Sequence, residues 1–520
     1  MHKILFGILL SAMSVAQAAS SFVLSNQPGP YPVGLRIVKH YDYSRTYKGK
    51  IDMLSGQPTS GERARPVQTL IWYPSDKSGA PLHYIDYIRS AATEEVFERS
   101  PAEINLDAAG WVGKRWNGLS DNDIRREENR PMWAARDARP ASGKFPVVIY
   151  APSFSASAHE NADLCEYLAS QGYVVMASAA LGPHGRSMTK DLEGVEAQAG
   201  DIEFLTGYAQ SLPQADAAHI AVVGYSWGGM ANVFAAARDT RISALVSLDG
   251  SVRYFPEMVR SAKYVVPDRL TVPFLYIAAR PSSIEDHITY KQDMSGSLLN
   301  DWKYANFYKV TMYPMVHPNF TSEYQRFALD SGWGFGEYTR EETSLAYSWM
   351  ARYVGQFLNA YLKNDAAGRA FLANAPAKNG VPAHMLAVDN RPSRGLPPSL
   401  ETFAAGLGIK GFDHAMDVYR DMQTQDADFQ LTEQNLINWG YQLLKADKNK
   451  ESIEIFKLAT LVYPKSANAF DSLAEAHQQD KNNPLAIKNY QRSLELDPHN
   501  TNAVERLKGL NAGVTKPAAG

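Results

Sequence analysis

Residues 219–229 read His-Ile-Ala-Val-Val-Gly-Tyr-Ser-Trp-Gly-Gly, with Ser226 between Gly224 and Gly228. This G-x-S-x-G spacing is that of a nucleophile elbow, where a strand turns sharply into a helix and lifts a serine hydroxyl above the sheet edge. The context fits: Ile220–Val223 is a short apolar, β-branched run, and Met230–Ala237 is Ala-rich and helical in character. A Cβ at either glycine would crowd the neighbouring strand and helix. The turn leaves the Trp227 N–H at a helix start, where a developing oxyanion can accept it. A chain this long meets the pentapeptide by chance roughly 0.2 times at ordinary Gly and Ser frequencies, so the flanking strand and helix carry the reading. The chemistry implied is attack of a serine oxygen on a carbonyl carbon.

A serine hydroxyl is a weak nucleophile at neutral pH. It needs a histidine to take its proton and a carboxylate to fix the histidine's tautomer. Behind such an elbow the partners follow in the order acid, then histidine. That order removes every histidine before position 226, including His159, His184 and His219, while His384, His414, His477 and His499 fall in the linker or repeat region described below. Two remain. His317 sits in Pro314-Met-Val-His-Pro-Asn-Phe320, a turn-rich loop after the last strand, and is the expected base; His287 reads as a surface loop residue. For the acid, Asp249 ends one strand, and Glu285 or Asp286 follows the next. No metal or cofactor is implied: His159-Glu160 lacks a second histidine at helical spacing, no Cys/His cluster exists, and no Gly-rich phosphate loop opens a helix after a strand. Cys165, the single cysteine, lies in a helical stretch and reads as a packed core thiol.

The elements that must position these groups alternate. Expected strands are Leu35–Tyr41, Val67–Tyr73, Pro146–Tyr150, Tyr173–Ala179, the elbow strand, Ile242–Leu248, Val272–Ala279 and Phe307–Thr311; helices are expected over 159–171, 191–211 and 341–362. Apolar runs separated by helix-length segments predict an α/β fold, a mostly parallel sheet covered on both faces. In such sheets chemistry gathers at the carboxyl ends of the strands. Residues 76–144 carry few strand signals but many charges and Trp111, Trp116 and Trp133, and are expected to be an insertion with helices of its own.

Residues 373–411 are rich in Ala, Pro and Gly and read as a linker. Beyond it the pattern becomes purely helical, with an internal period. Trp439-Gly440, Ser452, Phe456, Ala459 and Pro464 recur 34 residues later as Leu473-Ala474, Ala486, Tyr490, Ser493 and Pro498. Period and residue types match tetratricopeptide repeats. About two repeats are expected over 433–500 within a helical domain spanning 412–511, closed by a polar helix over 501–511 and followed by a frayed tail, 512–520; the repeats offer a surface for a protein partner.

The net charge of −3 gives no basic excess, so nucleic acid is not an expected partner. Residues 1–18 have the order of a secretory signal: Lys3, an apolar stretch over Ile4–Val15, then Ala16-Gln17-Ala18. The apolar part is too short to span a bilayer and no later stretch approaches ~20 apolar residues. An exported chain without a transmembrane segment is expected, periplasmic or secreted.

From about residue 29 to 362 the chain resembles the platelet-activating-factor acetylhydrolase branch of the α/β-hydrolases, close to the dienelactone-hydrolase group. The residues that carry the resemblance are Gly29-Pro-Tyr-Pro-Val-Gly34, Trp72-Tyr-Pro-Ser75, Gly224-Tyr-Ser-Trp-Gly-Gly229, Ser247-Leu-Asp-Gly250 and Val316-His-Pro-Asn-Phe320. It implies an α/β-hydrolase domain over 19–372, ester hydrolysis, Ser226 as nucleophile, Asp249 as acid and His317 as base. Asp249 also ends the run Ala244–Leu248 directly, whereas Asp286 lies in a polar loop seven residues beyond Ala279. Relatives carry His-Gly after the strand leading into the oxyanion hole; here the matching place reads Ala151-Pro152-Ser153-Phe154. The expected oxyanion donors are therefore Trp227 and the N–H of Ser153 or Phe154. Small-molecule or lipid esters with short acyl chains are the implied substrates. Two other readings stay open: the same triad cleaving amide or peptide bonds, and a repeat-mediated interaction protein with an inactive hydrolase unit.

Overall fold

The computed structural model describes residues 22–53, 55–77, 79–115, 118–280, 298–327 and 338–514. The signal-like residues 1–18, Trp116, the acid candidates Glu285 and Asp286, His287 and the end of the tail lie outside the described residues. The chain divides into two compact units, one up to Ser393 and one from Arg394 on.

In the first unit the strands are β1 (Val33–Thr46), β2 (Ala64–Pro74), β3 (Pro81–His83), β4 (Pro131–Arg136), β5 (Phe145–Ala151), β6 (Val174–Ser178), β7 (Ala215–Tyr225), β8 (Ile242–Leu248), β9 (Phe274–Ala279), β10 (Phe307–Met312) and β11 (Leu386–Arg391). They form one sheet in the order β11-β10-β9-β8-β7-β5-β6-β2-β1-β4-β3. The six central strands from β6 to β10 are parallel, while β2 on one side and β11 on the other run antiparallel to their neighbours.

The centre is parallel because its strands are apolar on both faces. Val148, Tyr150, Ala221, Val223 and Val246 point one way and pack with Leu164, Leu168, Met350, Val354 and Phe357 of helices Ala162–Ser170 and Arg340–Leu362. Their alternates Val147, Ile149, Ile220, Val222 and Leu245 meet Val195, Ile202, Leu205, Val233 and Phe234 of helices Leu192–Ala209 and Gly228–Arg238 on the other face. Strand order reverses at β5, which pairs with β6 on one side and β7 on the other. The carboxyl ends of β5 and β7 thus frame a topological switch point, the place where open α/β sheets bind ligands.

Two stretches differ from expectation. Residues 76–144 do contain helices (Tyr84–Ala91, Pro101–Arg115 and Asp121–Glu128), but they also add strands to the sheet: β4 pairs parallel to β1, and β3 pairs with β4. A buried carboxyl fastens this extension. Glu166 accepts the N–H groups of Trp133 and Ala134 at 2.7 and 3.1 Å and the Tyr87 hydroxyl at 2.5 Å. The stretch read as a linker, 373–411, instead carries β11, which pairs antiparallel along β10, and helix Leu400–Lys410 of the second unit. Leu386 is buried and the Arg391 guanidinium lies 4.3 Å from the centre of the Phe307 ring, so this strand is tied to the sheet despite its Ala-, Pro- and Gly-rich surroundings.

The second unit is helical. Helices Glu433–Lys445, Ala467–Gln479 and Thr501–Val514 begin 34 residues apart, as do Asn449–Val462 and Asn483–Leu496 between them. Gly440 is where the Phe456 ring presses in, since a Cβ there would lie 2.3 Å from it; Ala474 and Tyr490 pack together in the equivalent places. Phe403, Leu407, Val418 and Tyr419 of the two preceding helices share one core with Leu436, Ile453 and Phe456. Among the described residues no helix is long and apolar enough to cross a membrane.

Candidate active site

β7 ends at Tyr225, and the chain turns at once into helix Gly228–Arg238. Ser226 takes φ +52°, a left-handed conformation that a serine adopts only under constraint. Both flanking glycines are needed for close approach. A Cβ on Gly224 would lie 2.2 Å from Gly228 O, and one on Gly228 would lie 2.1 Å from Ala151 O.

The structure brings Ser226, His317 and Asp249 into one hydrogen-bonded chain. Ser226 Oγ is 2.9 Å from His317 Nε2, and His317 Nδ1 is 2.6 Å from Asp249 Oδ2. Asp249 follows β8 at φ +42° and is 1 % exposed. Its other oxygen accepts the Ala279 N–H at 3.1 Å and the Tyr254 hydroxyl at 3.3 Å. Burial alone would raise this carboxyl's pKa, but the hydrogen bond and charge of His317 outweigh it and hold it below its ordinary value. For His317 burial pulls downward, and the Asp249 hydrogen bond, the Asp249 charge and the Glu160 charge raise its pKa above the usual histidine value. The imidazole is steered by its loop: Tyr225 OH donates to His317 O at 2.9 Å, and Val316 N–H donates to Asn319 Oδ1 at 2.7 Å.

Of the expected oxyanion donors, the loop after β5 divides the two alternatives. Ser153 N–H donates to Glu160 Oε2 at 2.9 Å and its hydroxyl donates to Glu160 Oε1, so this N–H is already engaged. Phe154 N–H and Trp227 N–H donate to no other group among the described residues. Their rings meet edge to face at 5.2 Å.

A cleft of about 230 Å³ adjoins the triad, lined among others by Ser153, Glu160, Tyr225, Pro318, Glu323 and Phe327. Glu323 pairs with Arg115 at 3.0 Å, and its pKa is pushed up to about 7, chiefly by burial, with Arg115 opposing and the charges of Glu160 and Glu94 adding to the rise. Reasoning from sequence passed over Glu160, Glu323, Tyr225 and Tyr254. The one available signal was an acidic residue, Glu160, in the Ser- and Ala-rich stretch that follows β5.

The remaining candidates lie apart from the triad. His159 is fully buried between Tyr84 and Trp111, neither ring nitrogen has a hydrogen-bond partner among the described residues, and burial pushes its pKa down to about 3. His184 and His219 are exposed and pair with Glu193 and Asp216. Cys165 is buried, which pushes its thiol pKa up. Among the described residues no group of His, Cys, Asp and Glu could hold a metal ion.

Residues 133–358, which contain all three members of the hydrogen-bonded chain, match the family described as Dienelactone hydrolase family. Among solved structures, a ferulic acid esterase from Streptomyces cinnamoneus aligns at 21% identity over 66% of this chain and 94% of that one, with a TM-score of 0.45. No curated protein matches the chain. The first unit is an α/β fold, a mostly parallel sheet covered by helices on both faces.

Proposed function

We propose that the chain is an exported carboxylic-ester hydrolase working through a Ser226–His317–Asp249 triad and an acyl-enzyme. The observation that carries this reading is the continuous set of hydrogen bonds from Asp249 through His317 to Ser226 at the switch point of the sheet. Ser226 Oγ attacks the ester carbonyl while His317 Nε2 accepts its proton, and Asp249 holds the imidazole and stabilises the imidazolium. The oxyanion is taken by the N–H groups of Trp227 and Phe154. His317 then protonates the leaving alcohol, and water repeats the sequence on the acyl-enzyme.

Short-acyl and phospholipid-like esters, as in the platelet-activating-factor acetylhydrolase branch, belong to this reading, as does export by residues 1–18. The second unit, read as tetratricopeptide-like, supplies a surface for a protein partner. A fluorophosphonate probe tests the centre: it should label the wild type at Ser226, and Ser226→Ala should lose both labelling and ester turnover while its circular dichroism is unchanged. Labelling at another serine, or turnover retained in the variant, would overturn the assignment.

A further inference from the structure

The loop after β5 is tied down on both sides of one residue. Pro152 O accepts Gln198 Nε2 at 2.7 Å. Ser153 is held through its N–H and its hydroxyl by the two oxygens of Glu160. Ser155 sits at φ +59° and its Oγ accepts the Met188 N–H at 2.8 Å. Between these anchors stands Phe154, whose N–H makes no other bond among the described residues. The elbow presses on the same loop, since a Cβ on Gly228 would lie 2.6 Å from Pro152 O.

Glu160 is 7 % exposed and also receives the Tyr150 hydroxyl at 3.3 Å. Packing alone is a poor reason for a carboxyl at this depth, because burying it is costly unless its bonds are strong and directed. Here both oxygens converge on Ser153, next to the unengaged Phe154 N–H. A donor lowers an oxyanion barrier only if it is already aimed when charge develops, since reorientation during reaction gives the advantage back.

Resting on the ester-hydrolase reading above, we propose that Glu160 is a positioning residue: by clamping Ser153 it withdraws the Ser153 N–H from the site and holds the Phe154 N–H on the oxyanion beside that of Trp227. Glu160 touches no reacting atom in this account. It acts through the loop.

The test compares Glu160→Ala, Glu160→Gln and Ser153→Ala in the full chain on a p-nitrophenyl ester. A trifluoromethyl ketone, whose serine adduct carries an oxyanion, is measured alongside. Glu160→Ala should lower kcat about 10²-fold and weaken the ketone in parallel, with KM moving less than about threefold, as for loss of one oxyanion donor. Glu160→Gln should stay within about fivefold of wild type, because an amide can accept from the Ser153 N–H and donate to its hydroxyl. A purely structural role would not split kcat from KM in this way. The inference fails if Glu160→Ala keeps kcat within about threefold, or if Glu160→Gln falls as far as Glu160→Ala, which would assign the effect to charge on His317. Should Glu160→Ala not fold, Ser153→Ala removes only one of the two bonds. A fall of at least about fivefold in both kcat and ketone affinity is then expected, and unchanged values overturn the inference. Failure of the ester-hydrolase reading itself would show differently, as absence of probe labelling at Ser226 in the wild type.

Discussion

Asp249 gives up ordinary backbone geometry, φ +42°, to present its carboxylate to His317, and three donors converge on it. Asp249→Asn should lower kcat by about 10⁴, because an amide in that place favours the wrong imidazole tautomer. Asp286→Asn, made in parallel, should change it less than about threefold; kcat measured side by side, with folding followed by circular dichroism, separates the two. The same contact sets a pH dependence. In the proposed mechanism His317 must be neutral to accept the serine proton, and its raised pKa means that it stays protonated, and idle, to higher pH than a free imidazole. The acid limb of kcat/KM should therefore lie above about 6.5 in the wild type and move to lower pH in Asp249→Asn. An acid limb that does not move would show that Asp249 is not what raises the imidazole.

Among the elements, β4 depends on a carboxyl that burial keeps protonated well into the neutral range. The Glu166 pKa is pushed up to about 7, first by burial and then by the Asp163 charge, against the opposing bonds from Tyr87, Trp133 and Ala134. Between the unfolded value near 4.5 and about 7 the folded chain holds a proton that the unfolded chain has released. Stability from this group is thus full below pH 4.5 and declines as pH rises towards 7, by roughly 3 kcal/mol over the window. Glu166→Gln, which resembles the protonated form, should match the wild type in urea unfolding at pH 5 and exceed it at pH 8; equal slopes with pH would exclude Glu166 as the source. The elbow makes a steric prediction. Gly228→Ala sets a methyl 2.1 Å from a backbone oxygen of β5 that cannot yield cheaply, so a loss of about 1–3 kcal/mol with a fall in turnover is expected, read from Tm and kcat.

What could be read in advance at this scale followed apolarity. The central strands announced themselves as Val- and Ile-rich runs because both their faces are covered, and the elbow glycines because backbone comes too close for any side chain. β4, Pro-Met-Trp-Ala-Ala-Arg, begins with proline and ends with arginine; it pairs with β1 and is fastened by a distant glutamate that no local pattern reveals. β11, Leu-Ala-Val-Asp-Asn-Arg, is an edge strand with few buried positions, so its sequence looks like the surrounding connector. The hydrogen-bonded set of Ser226, Asp249 and His317 was legible because the proposed nucleophile, acid and base follow an order along the chain. The contact of Glu160 with Ser153 was not, because it depends on where the loop after β5 returns in space.

For the molecule as a whole, the position of β11 decides where the chain can be cut. A protein ending after Ser393 keeps β11 along β10 and should remain soluble and active on small esters. One ending near residue 375 loses that strand, bares the β10 edge and should aggregate or melt lower. Equal thermal stability and activity of the two truncations would mean that β11 contributes nothing to the sheet.

The spacing of helix starts in the second unit makes its permitted lengths quantised. Removing 467–500 would bring helix Thr501–Val514 directly after Ser466, with Ala503 and Leu507 arriving where Ala469 and Leu473 had been. The incoming side chains at those two seats are the same residue types as the outgoing ones, so the shortened stack should fold with a single cooperative urea transition. Removing half as many residues, 467–483, would rotate the following helix out of phase and present its polar side to the core, and that protein should lose helicity by circular dichroism. Insertions and deletions in this half of the molecule are therefore tolerated by whole periods, independently of residue composition, and a variant that broke the rule and still folded would show that the stack is not a repeat in the physical sense.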